Sequence, residues 1–442
     1  MKLYRHQDAK SFRQFQREII KANSIQDISD TVTALLEDIR SRGNAALREL
    51  TLKFDGVKLP RVGPRLDPVR IEEAGKQLTS EQREALRESI RSVKDYHRPT
   101  MPRDWTERNT HGGRVGEKYY PIQRVGIYVP GGQVPLVSSV VMSVVPALVA
   151  KVPEIAVFTP PAAANPGGIP NGALLGALHL CGVEEVYTLG GVQAIGAAAY
   201  GSQTIAPVDK IFGPGNAYVN EAKRQVFGQV GIDSQPGPSE VMVIADEGAD
   251  PAFVAADLLA QAEHGTGKEK IYLVAFSERM VEAVEAAIAF QLPPLSHARA
   301  IQAVLKKHFF VVLVESLEGA VEVANWVAPE HLELQVAREH LSLLTREITT
   351  AGAILQGYQT PTVVGDFVAG PSHTLPTGRT GRFFSGLRAV DFLRRTSVIE
   401  YSKNSLEAAQ QSVEVFSKLE QLDAHGHSLQ IRLEKKSSSG EK

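Results

Sequence analysis

Two polar side chains close an apolar stretch in LLAQAEHGTGKEK, which runs from residue 258 to residue 270. Gln261 and His264 are three residues apart, so on a helix they lie on one face of the last turn. Asp250 followed by Pro251 predicts where that helix begins, because aspartate caps helices and proline fits their first turn. The pair could be half of a metal site, but such a site needs further ligands elsewhere. On these residues alone, a buried pair satisfied by the backbone is the favoured interpretation.

A carboxylate and an imidazole are adjacent in NWVAPEHLEL, at Glu330 and His331. Adjacent residues diverge by about 100° around a helix, so both can reach one site only at a helix start or in a loop. Pro329 predicts such a helix start. The pair suits proton transfer, because histidine titrates near neutral pH and a carboxylate can activate water. The alternative is a surface helix with an acidic first turn.

Two further clusters combine carboxylates with histidines. In VVGDFVAGPSHTLPT, Asp366 could be an oxygen ligand or the cap of a turn, and His373 lies in a loop rich in glycine and proline. In LEQLDAHGHSLQIR, Glu420, His425 and His427 follow a predicted helix. The C-terminal histidines are also compatible with a solvent-exposed tail.

The elements that must position these residues alternate between short apolar strands and helices. The strand candidates are RVGIYVPGG, EIAVFTPP, EVYTLGG, EVMVIAD, KIYLVAF and FFVVLVES. This alternation predicts an α/β fold with largely parallel sheets, in which ligands bind at the carboxyl ends of strands. The segment from about residue 377 onward is rich in arginine and too small for a core of its own. We expect it to pack on another part of the protein or on a partner subunit.

Composition and charge exclude several functional classes. The 442 residues are 43% hydrophobic and 22% charged, which is typical of a soluble globular protein. A formal net charge of −2 leaves no basic surface for nucleic acid or membranes. Cys181 is the only cysteine, so an intramolecular disulfide is excluded, and this fits a reducing compartment. The charged N-terminal stretch lacks the apolar core of a signal peptide, and prolines interrupt the longest uncharged run, residues 125–150. We therefore expect a cytoplasmic protein.

Taken together and in order, the motifs resemble one known family, the NAD-dependent, zinc-containing histidinol dehydrogenases of histidine biosynthesis. The similarity covers nearly the whole chain, from the N-terminal helix to the region of Arg432. The motifs that carry it are RVGIYVPGG, GGVQAIGAAAYG, VDKIFGPGNAYVNEAKRQV, GPSEVMVIAD, DLLAQAEHG, APEHLEL, GDFVAGPSHTLPTG and RTSVIEYS.

The resemblance implies a role for each polar cluster. The implied water-activating carboxylate is Glu330 and the implied general base is His331. Of the two C-terminal histidines, His425 matches the family better than His427, because its Ala-His pair precedes an arginine by seven residues. His373 is implied only as a support for a ligand. The implied ligands of one Zn²⁺ per subunit are Gln261, His264, Asp366 and His425.

The resemblance also implies the remaining contacts. The implied NAD contacts are Tyr128, Gln193 and Asn216, which lie in loops that follow strand candidates. The implied substrate contacts are Ser239, Gln261, His264, His331, Asp366, Glu420 and His425.

The implied reaction is a four-electron oxidation of L-histidinol to L-histidine through L-histidinaldehyde, with two NAD. Cys181 is far in sequence from the polar clusters, so the second step should use the aldehyde hydrate rather than a thiohemiacetal. Zinc would then hold the substrate's amine and imidazole. One alternative is a related zinc and NAD dehydrogenase of another alcohol, such as a hydroxy-sulfonate, although Glu420 would repel an anion. A zinc hydrolase with the same ligands is a second alternative.

The implied architecture is two Rossmann-like domains with parallel sheets, small helical terminal segments and an intertwined homodimer whose C-terminal segments complete the partner's sites. The predicted division has a helical arm at 1–24 and a first α/β domain at 25–127 and 240–380. A second, NAD-binding α/β domain is predicted at 128–239. A C-terminal dimerisation segment with a disordered tail is predicted at 381–442.

Overall fold

A computed structural model describes residues 2–23, 27–131, 136–264 and 266–434, without the side chain of Pro166. The predicted domain boundary at residues 24–25 and the predicted disordered tail lie outside these residues. The chain divides into two compact units, one formed by Met1–Thr100 and Ile122–Phe392, the other by Met101–Pro121 and Leu393–Lys442. No helix among the described residues is both long enough and apolar enough to cross a membrane.

Strands and helices alternate through most of the described chain. The strands are β1 (Lys2–Arg5), β2 (Trp105–Arg108), β3 (Arg114–Pro121), β4 (Arg124–Tyr128), β5 (Glu154–Thr159), β6 (Glu185–Thr188), β7 (Lys210–Phe212), β8 (Gly231–Ile232), β9 (Glu240–Ala245), β10 (Lys270–Ala275), β11 (Phe309–Leu313), β12 (His331–Gln335), β13 (Ala353–Gln356) and β14 (Leu393–Glu400). The helices are α1 (Ala9–Ala22), α2 (Ser29–Arg42), α3 (Asn44–Asp55), α4 (Pro68–Gln77), α5 (Ser80–His97), α6 (Val137–Val149), α7 (Gly172–Leu180), α8 (Gly191–Tyr200), α9 (Ala217–Val226), α10 (Pro251–Ala262), α11 (Glu278–Gln291), α12 (Ala298–His308), α13 (Leu317–Val327), α14 (Arg338–Glu347), α15 (Thr362–Phe367), α16 (Lys403–Leu419) and α17 (Asp423–Glu434).

The first unit contains two parallel sheets. One has five strands in the order β6-β5-β4-β7-β8. Its strands are short apolar runs, and their buried side chains share a core with helices α2, α3, α8 and α9. Burial on both faces explains why these strands are continuously hydrophobic rather than alternating.

The second parallel sheet has six strands in the order β1-β11-β10-β9-β12-β13. Helices α10, α11 and α12 cover one face, and helices α1, α13 and α14 cover the other. Side chains of β9 and β10 alternate between these two cores and are buried along the whole strand. The α/β class with parallel sheets predicted from the sequence is therefore confirmed.

The six strands predicted from apolar runs are confirmed as β4, β5, β6, β9, β10 and β11. The helix start predicted at Pro329 is wrong, because β12 begins at His331. Ala328 ends α13 in the left-handed conformation, with φ of 49°, and the following residues pair with β9 and β13. The run HLELQ alternates polar and apolar residues, and such a period of two indicates a strand.

The second unit consists of an antiparallel sheet and two helices. Its three strands have the order β14-β3-β2, and its helices α16 and α17 pack on each other. The Asn109 amide donates to the hydroxyl of Tyr401 at 2.6 Å, which fastens the loop between β2 and β3 to the segment that follows β14. Domain bounds predicted from the sequence stay a prediction.

Candidate active site

The acid-base candidates lie at the amino end of β12, beside the amino end of its neighbour β9. This differs from the prediction that ligands bind at the carboxyl ends of the strands. His331 is the first residue of β12 and pairs with Val241, the second residue of β9. The backbone N–H of Glu240 donates to Glu330 Oε2 at 2.7 Å, and His331 Nδ1 donates to the Glu240 carbonyl oxygen at 3.3 Å. Both side chains are buried. The backbone of Glu240 thus orients the carboxylate and the imidazole together.

Asp366 faces the second nitrogen of this imidazole. His331 Nε2 is 3.4 Å from Asp366 Oδ1, and His331 Nδ1 is 3.7 Å from Glu330 Oε2. Since a carbonyl oxygen can only accept, Nδ1 carries a proton and Nε2 is the nitrogen that can exchange one. Asp366 reaches this position from the last turn of α15.

The cluster holds groups that exchange protons near neutral pH. Burial raises the pKa of Glu330 to about 7. Burial would lower the pKa of His331, but the charges of Glu330 and Asp366 outweigh it and raise that pKa to about 9. Burial would likewise raise the pKa of Asp366, yet its hydrogen bond with His331 and that residue's charge lower it. Glu330 can therefore both take and give a proton in the physiological range.

Gln261 and His264 lie together at the end of α10. The predicted start of this helix is confirmed, because the Asp250 side chain accepts from the N–H of Ala252 and Pro251 occupies the first position. Gln261 is buried, whereas His264 is exposed, and Gln261 Nε2 lies 3.2 Å from His264 Nδ1. Desolvation lowers the pKa of His264, although the charge of Asp366 opposes this. A lowered pKa favours the neutral imidazole, which has a lone pair to offer to a metal ion.

Ser239 and His373 border the cluster. Ser239 directly precedes β9 and is half-buried, and its carbonyl oxygen accepts from the N–H of Lys270 at 3.1 Å. His373 Nε2 is 3.0 Å from Ser138 Oγ. Burial lowers the pKa of His373 despite the charge of Asp366. His373 thus joins the cluster to the first turn of α6.

Sequence reasoning missed Glu240, whose backbone holds the acid-base pair. Its buried side chain accepts from Lys270 Nζ at 2.7 Å and from the N–H of Gly378 at 3.1 Å. Glu240 and Lys270 are opposite in the β9–β10 register. The sequence does contain a signal for this ion pair. The apolar strand EVMVIAD begins with a negative charge, and the apolar strand KIYLVAF begins with a positive one.

The NAD candidates lie at the carboxyl edge of the five-stranded sheet. Tyr128 ends β4 and is buried, and its hydroxyl accepts from the N–H of Gly191 at 3.3 Å. Burial raises the pKa of Tyr128 to about 12. Asn216 caps α9 by accepting from the N–H groups of Tyr218 and Val219. Helix N-termini at a sheet's carboxyl edge suit an anionic cofactor.

The sequence analysis did not identify Asp55, a carboxylate that lies beside the NAD candidates. Gln193 Nε2 donates to Asp55 Oδ2 at 3.3 Å. Burial raises the pKa of Asp55 to about 6. Asp55 ends α3, which the sequence assigned to the first α/β domain rather than to the NAD-binding domain, and no local pattern connects Asp55 with Gln193.

Glu420 and His425 belong to the second unit. Glu420 is the C-cap of α16, and His425 lies in the first turn of α17. Both side chains are exposed, as is His427. The remaining site candidates all lie in the first unit.

Comparison with known proteins decides the family. A family model described as histidinol dehydrogenase matches residues 19–433. The chain belongs to the histidinol dehydrogenase family. Among curated histidinol dehydrogenases, that of Gluconobacter oxydans is 44% identical over 414 residues, covering 93% of this chain and 94% of that protein. The histidinol dehydrogenase of Geobacillus kaustophilus is 43% identical over 404 residues, which cover 91% of this chain and 93% of that protein.

A solved structure of the histidinol dehydrogenase family has the same fold. The crystal structure of histidinol dehydrogenase from Elizabethkingia anophelis superposes with a TM-score of 0.88 at 33% sequence identity, and the match covers 93% of each chain. The family is NAD-dependent and contains zinc.

The donor chemistry of the cluster suits the zinc of histidinol dehydrogenases. Among the residues described, no group of three or more His, Cys, Asp or Glu side chains is arranged to hold a metal ion. Gln261, His264 and Asp366 nevertheless offer an amide oxygen, a neutral imidazole and a lowered-pKa carboxylate near one another. Nitrogen and oxygen donors of these kinds bind zinc, with a fourth ligand still to be supplied.

Proposed function

We propose that this chain is a histidinol dehydrogenase that oxidises L-histidinol to L-histidine through L-histidinaldehyde, with two NAD. Family membership over 19–433 supports the substrate and the cofactor. The observation that carries the chemistry is the buried contact of Glu330, His331 and Asp366. The relatives named above share one function, and the matches give no support to the alternative of a hydroxy-sulfonate dehydrogenase.

Glu330 and His331 are proposed to carry the proton transfers. With Nδ1 bound to the Glu240 carbonyl, His331 presents Nε2 toward the substrate hydroxyl. Because the pKa of His331 is about 9, Nε2 first gives up a proton and then acts as general base. Glu330, with a pKa of about 7, activates the water that hydrates the aldehyde. The strand backbone holds both groups before substrate arrives, so little reorganisation is needed.

A cysteine route for the second oxidation is disfavoured. Cys181 lies between α7 and β6 and is buried. Burial raises the pKa of its thiol to about 12. A thiol that stays protonated at neutral pH is a poor nucleophile. The aldehyde hydrate is therefore the species we expect to be oxidised.

One zinc ion per subunit is proposed to bind Gln261, His264, Asp366 and His425. When bound, it would hold the amine and imidazole of the substrate. Ser239, His331 and Glu420 are proposed to contact the substrate as well, together with the metal ligands. The carboxylate of Glu420 suits a cationic substrate.

Tyr128, Gln193 and Asn216 are proposed to bind NAD. Their support is the carboxyl-edge location, the cap that Asn216 forms at the start of α9, and the proximity of Tyr128 to the start of α8. Each group can offer a hydrogen bond to the cofactor.

A homodimer is proposed in which each C-terminal segment completes the partner's site. The support is that Glu420 and His425 are exposed polar residues in a separate small unit. The predicted domain division and a cytoplasmic location remain part of this proposal.

The test is the stoichiometry of NADH formation. Purified protein with zinc, NAD and limiting L-histidinol should form two NADH and one L-histidine per histidinol. His331→Asn should abolish this, whereas His340→Asn, a matched change on the surface helix α14, should not. One NADH with histidinaldehyde as the product would contradict the four-electron reaction. No NADH with any alcohol, together with hydrolytic activity, would favour the zinc hydrolase.

A further inference from the structure

A row of buried polar residues lies one layer beneath the acid-base cluster. His331, Glu333 and Gln335 project from the same face of β12, because alternate residues of a strand share a face. All three are buried, and Glu333 has no exposed surface. This face packs toward α10, since Leu332 and Leu334 point into the opposite core.

Glu333 binds the elements that carry the metal-ligand candidates. The N–H and the hydroxyl of Thr362 each donate to Glu333 Oε1 at 2.7 Å, at the first residue of α15. Gln335 Nε2 donates to Glu333 Oε2 at 3.1 Å and to Asp257 Oδ2 at 2.8 Å, on α10. Glu333 thus connects β12 to α15 directly and to α10 through Gln335.

The helical spacing places the ligand candidates one turn above these contacts. Asp257 is four residues before Gln261, and Thr362 is four residues before Asp366, so each pair shares a helix face. The carboxyl groups of Asp257 and Glu333 accept from the same donor, Gln335 Nε2, and therefore lie close together. Burial, followed by the charge of Glu333, raises the pKa of Asp257 to about 8, so Asp257 is the protonated partner at neutral pH.

We propose that Glu333 is a positioning residue for the metal site. It fixes Thr362 beneath Asp366 directly, and it fixes Asp257 beneath Gln261 through Gln335. This inference rests on the proposed function, because it takes Gln261 and Asp366 as ligands. Glu333 itself touches neither substrate nor metal. Loss of a residue that hydrogen-bonds directly to a metal ligand typically weakens metal binding about 10- to 100-fold. We expect an effect in this range for Glu333, because it holds two ligand-bearing helices at once.

The test compares zinc affinity in four variants by competition with a chelating dye. Glu333→Ala should weaken zinc binding about 10- to 100-fold. Thr362→Val should also weaken zinc binding, but by a smaller factor. Asp257→Asn keeps a neutral side chain with an oxygen that can accept from Gln335, and it should bind zinc like the parent. Leu344→Ala, a control that removes buried volume from α14 on the opposite face of the sheet, should also bind zinc like the parent.

Two outcomes would overturn the proposal. One is parental zinc affinity in Glu333→Ala, or in Thr362→Val if Glu333→Ala does not fold. The other is a loss of affinity in Leu344→Ala as large as that in Glu333→Ala, because the effect would then follow stability alone.

A metal-free measurement separates this inference from the proposed function. Amide hydrogen exchange of residues 362–367 should be faster in metal-free Thr362→Val than in the metal-free parent, and unchanged in Leu344→Ala. If the parent binds no zinc, the proposed function fails, and the exchange rates still decide whether Glu333 fixes α15. Equal exchange in the parent and Thr362→Val would refute the positioning role.

Discussion

His97 should make the stability of this protein fall in mild acid. The side chain has no exposed surface at the end of α5, and its Nδ1 accepts weakly from the N–H of Ala389 at 3.4 Å. Its Nε2 has no hydrogen-bond partner among the described residues. Burial, followed by the charge of Arg388, lowers the pKa of His97 from 6.5 to about 4. The folded state therefore keeps this imidazole neutral where the unfolded chain protonates it.

The sign and size of the effect follow from that pKa difference. Between pH 6.5 and about pH 4 the unfolded state binds more protons at this residue, so the free energy of unfolding falls as the pH falls. At about pH 5 the loss relative to neutral pH is about 2 kcal/mol, and below the folded-state pKa it levels off at about 3 kcal/mol.

Urea unfolding at about pH 7.5 and about pH 5 measures this loss. His97→Gln keeps an acceptor for Ala389 but does not titrate. Between the two pH values, the fall in its free energy of unfolding should therefore be about 2 kcal/mol smaller than the fall in the parent. Any stability that the substitution itself removes is lost at both pH values, so it cancels in the difference between them. His427→Gln, at an exposed position, should retain the parental pH dependence. Equal pH dependence in His97→Gln and the parent would refute the reasoning.

Three further predictions concern the site. Glu330→Gln should lower kcat about 10²- to 10⁴-fold with an unchanged circular-dichroism spectrum, and a loss under tenfold would contradict its acid-base role. His425→Asn should remove activity and lower the zinc content measured by atomic absorption, while His427→Asn retains both; normal zinc and turnover in His425→Asn would exclude it as a ligand. Gly213→Ala should weaken NAD binding in a fluorescence titration, because its Cβ would lie 2.1 Å from a carbonyl oxygen at the end of β4. Gly182→Ala is the control, because Gly182 also has a positive φ but an added Cβ there would meet no neighbouring atom. If both variants lowered NAD affinity equally, backbone strain alone would explain the loss, and the contact with the end of β4 would not be responsible.

Local patterns in the sequence predicted the elements well. Apolar runs such as KIYLVAF and the Asp250-Pro251 helix start depend on short-range sterics and burial, and both are confirmed. The failure at Pro329 has a physical cause. Proline fits a helix start and an extended segment alike, and here pairing of the next residues with β9 and β13 decides in favour of a strand.

Contacts between distant segments could not be predicted from single motifs. Nothing in KFDG indicates that Asp55 reaches Gln193, 138 residues away. Likewise, Glu240 orients the acid-base pair through its backbone, which any residue type would supply. The opposite charges of Glu240 and Lys270 indicate that these two residues pair, but they do not reveal this backbone role. Sequence patterns identify groups that can do chemistry, but the tertiary fold selects which main-chain atoms orient them.

The acid-base pair and the proposed metal ligands are held in place in different ways. Glu330 and His331 are anchored by backbone groups at the start of a buried strand, so their geometry does not depend on a bound ion. His264, by contrast, is exposed at the end of a helix, and His425 lies in the other unit. Removing the metal should therefore leave the contact between Glu330 and His331 intact, while the four proposed ligands lose their common partner. We accordingly expect chelation to abolish activity without unfolding the protein, and added zinc to restore it.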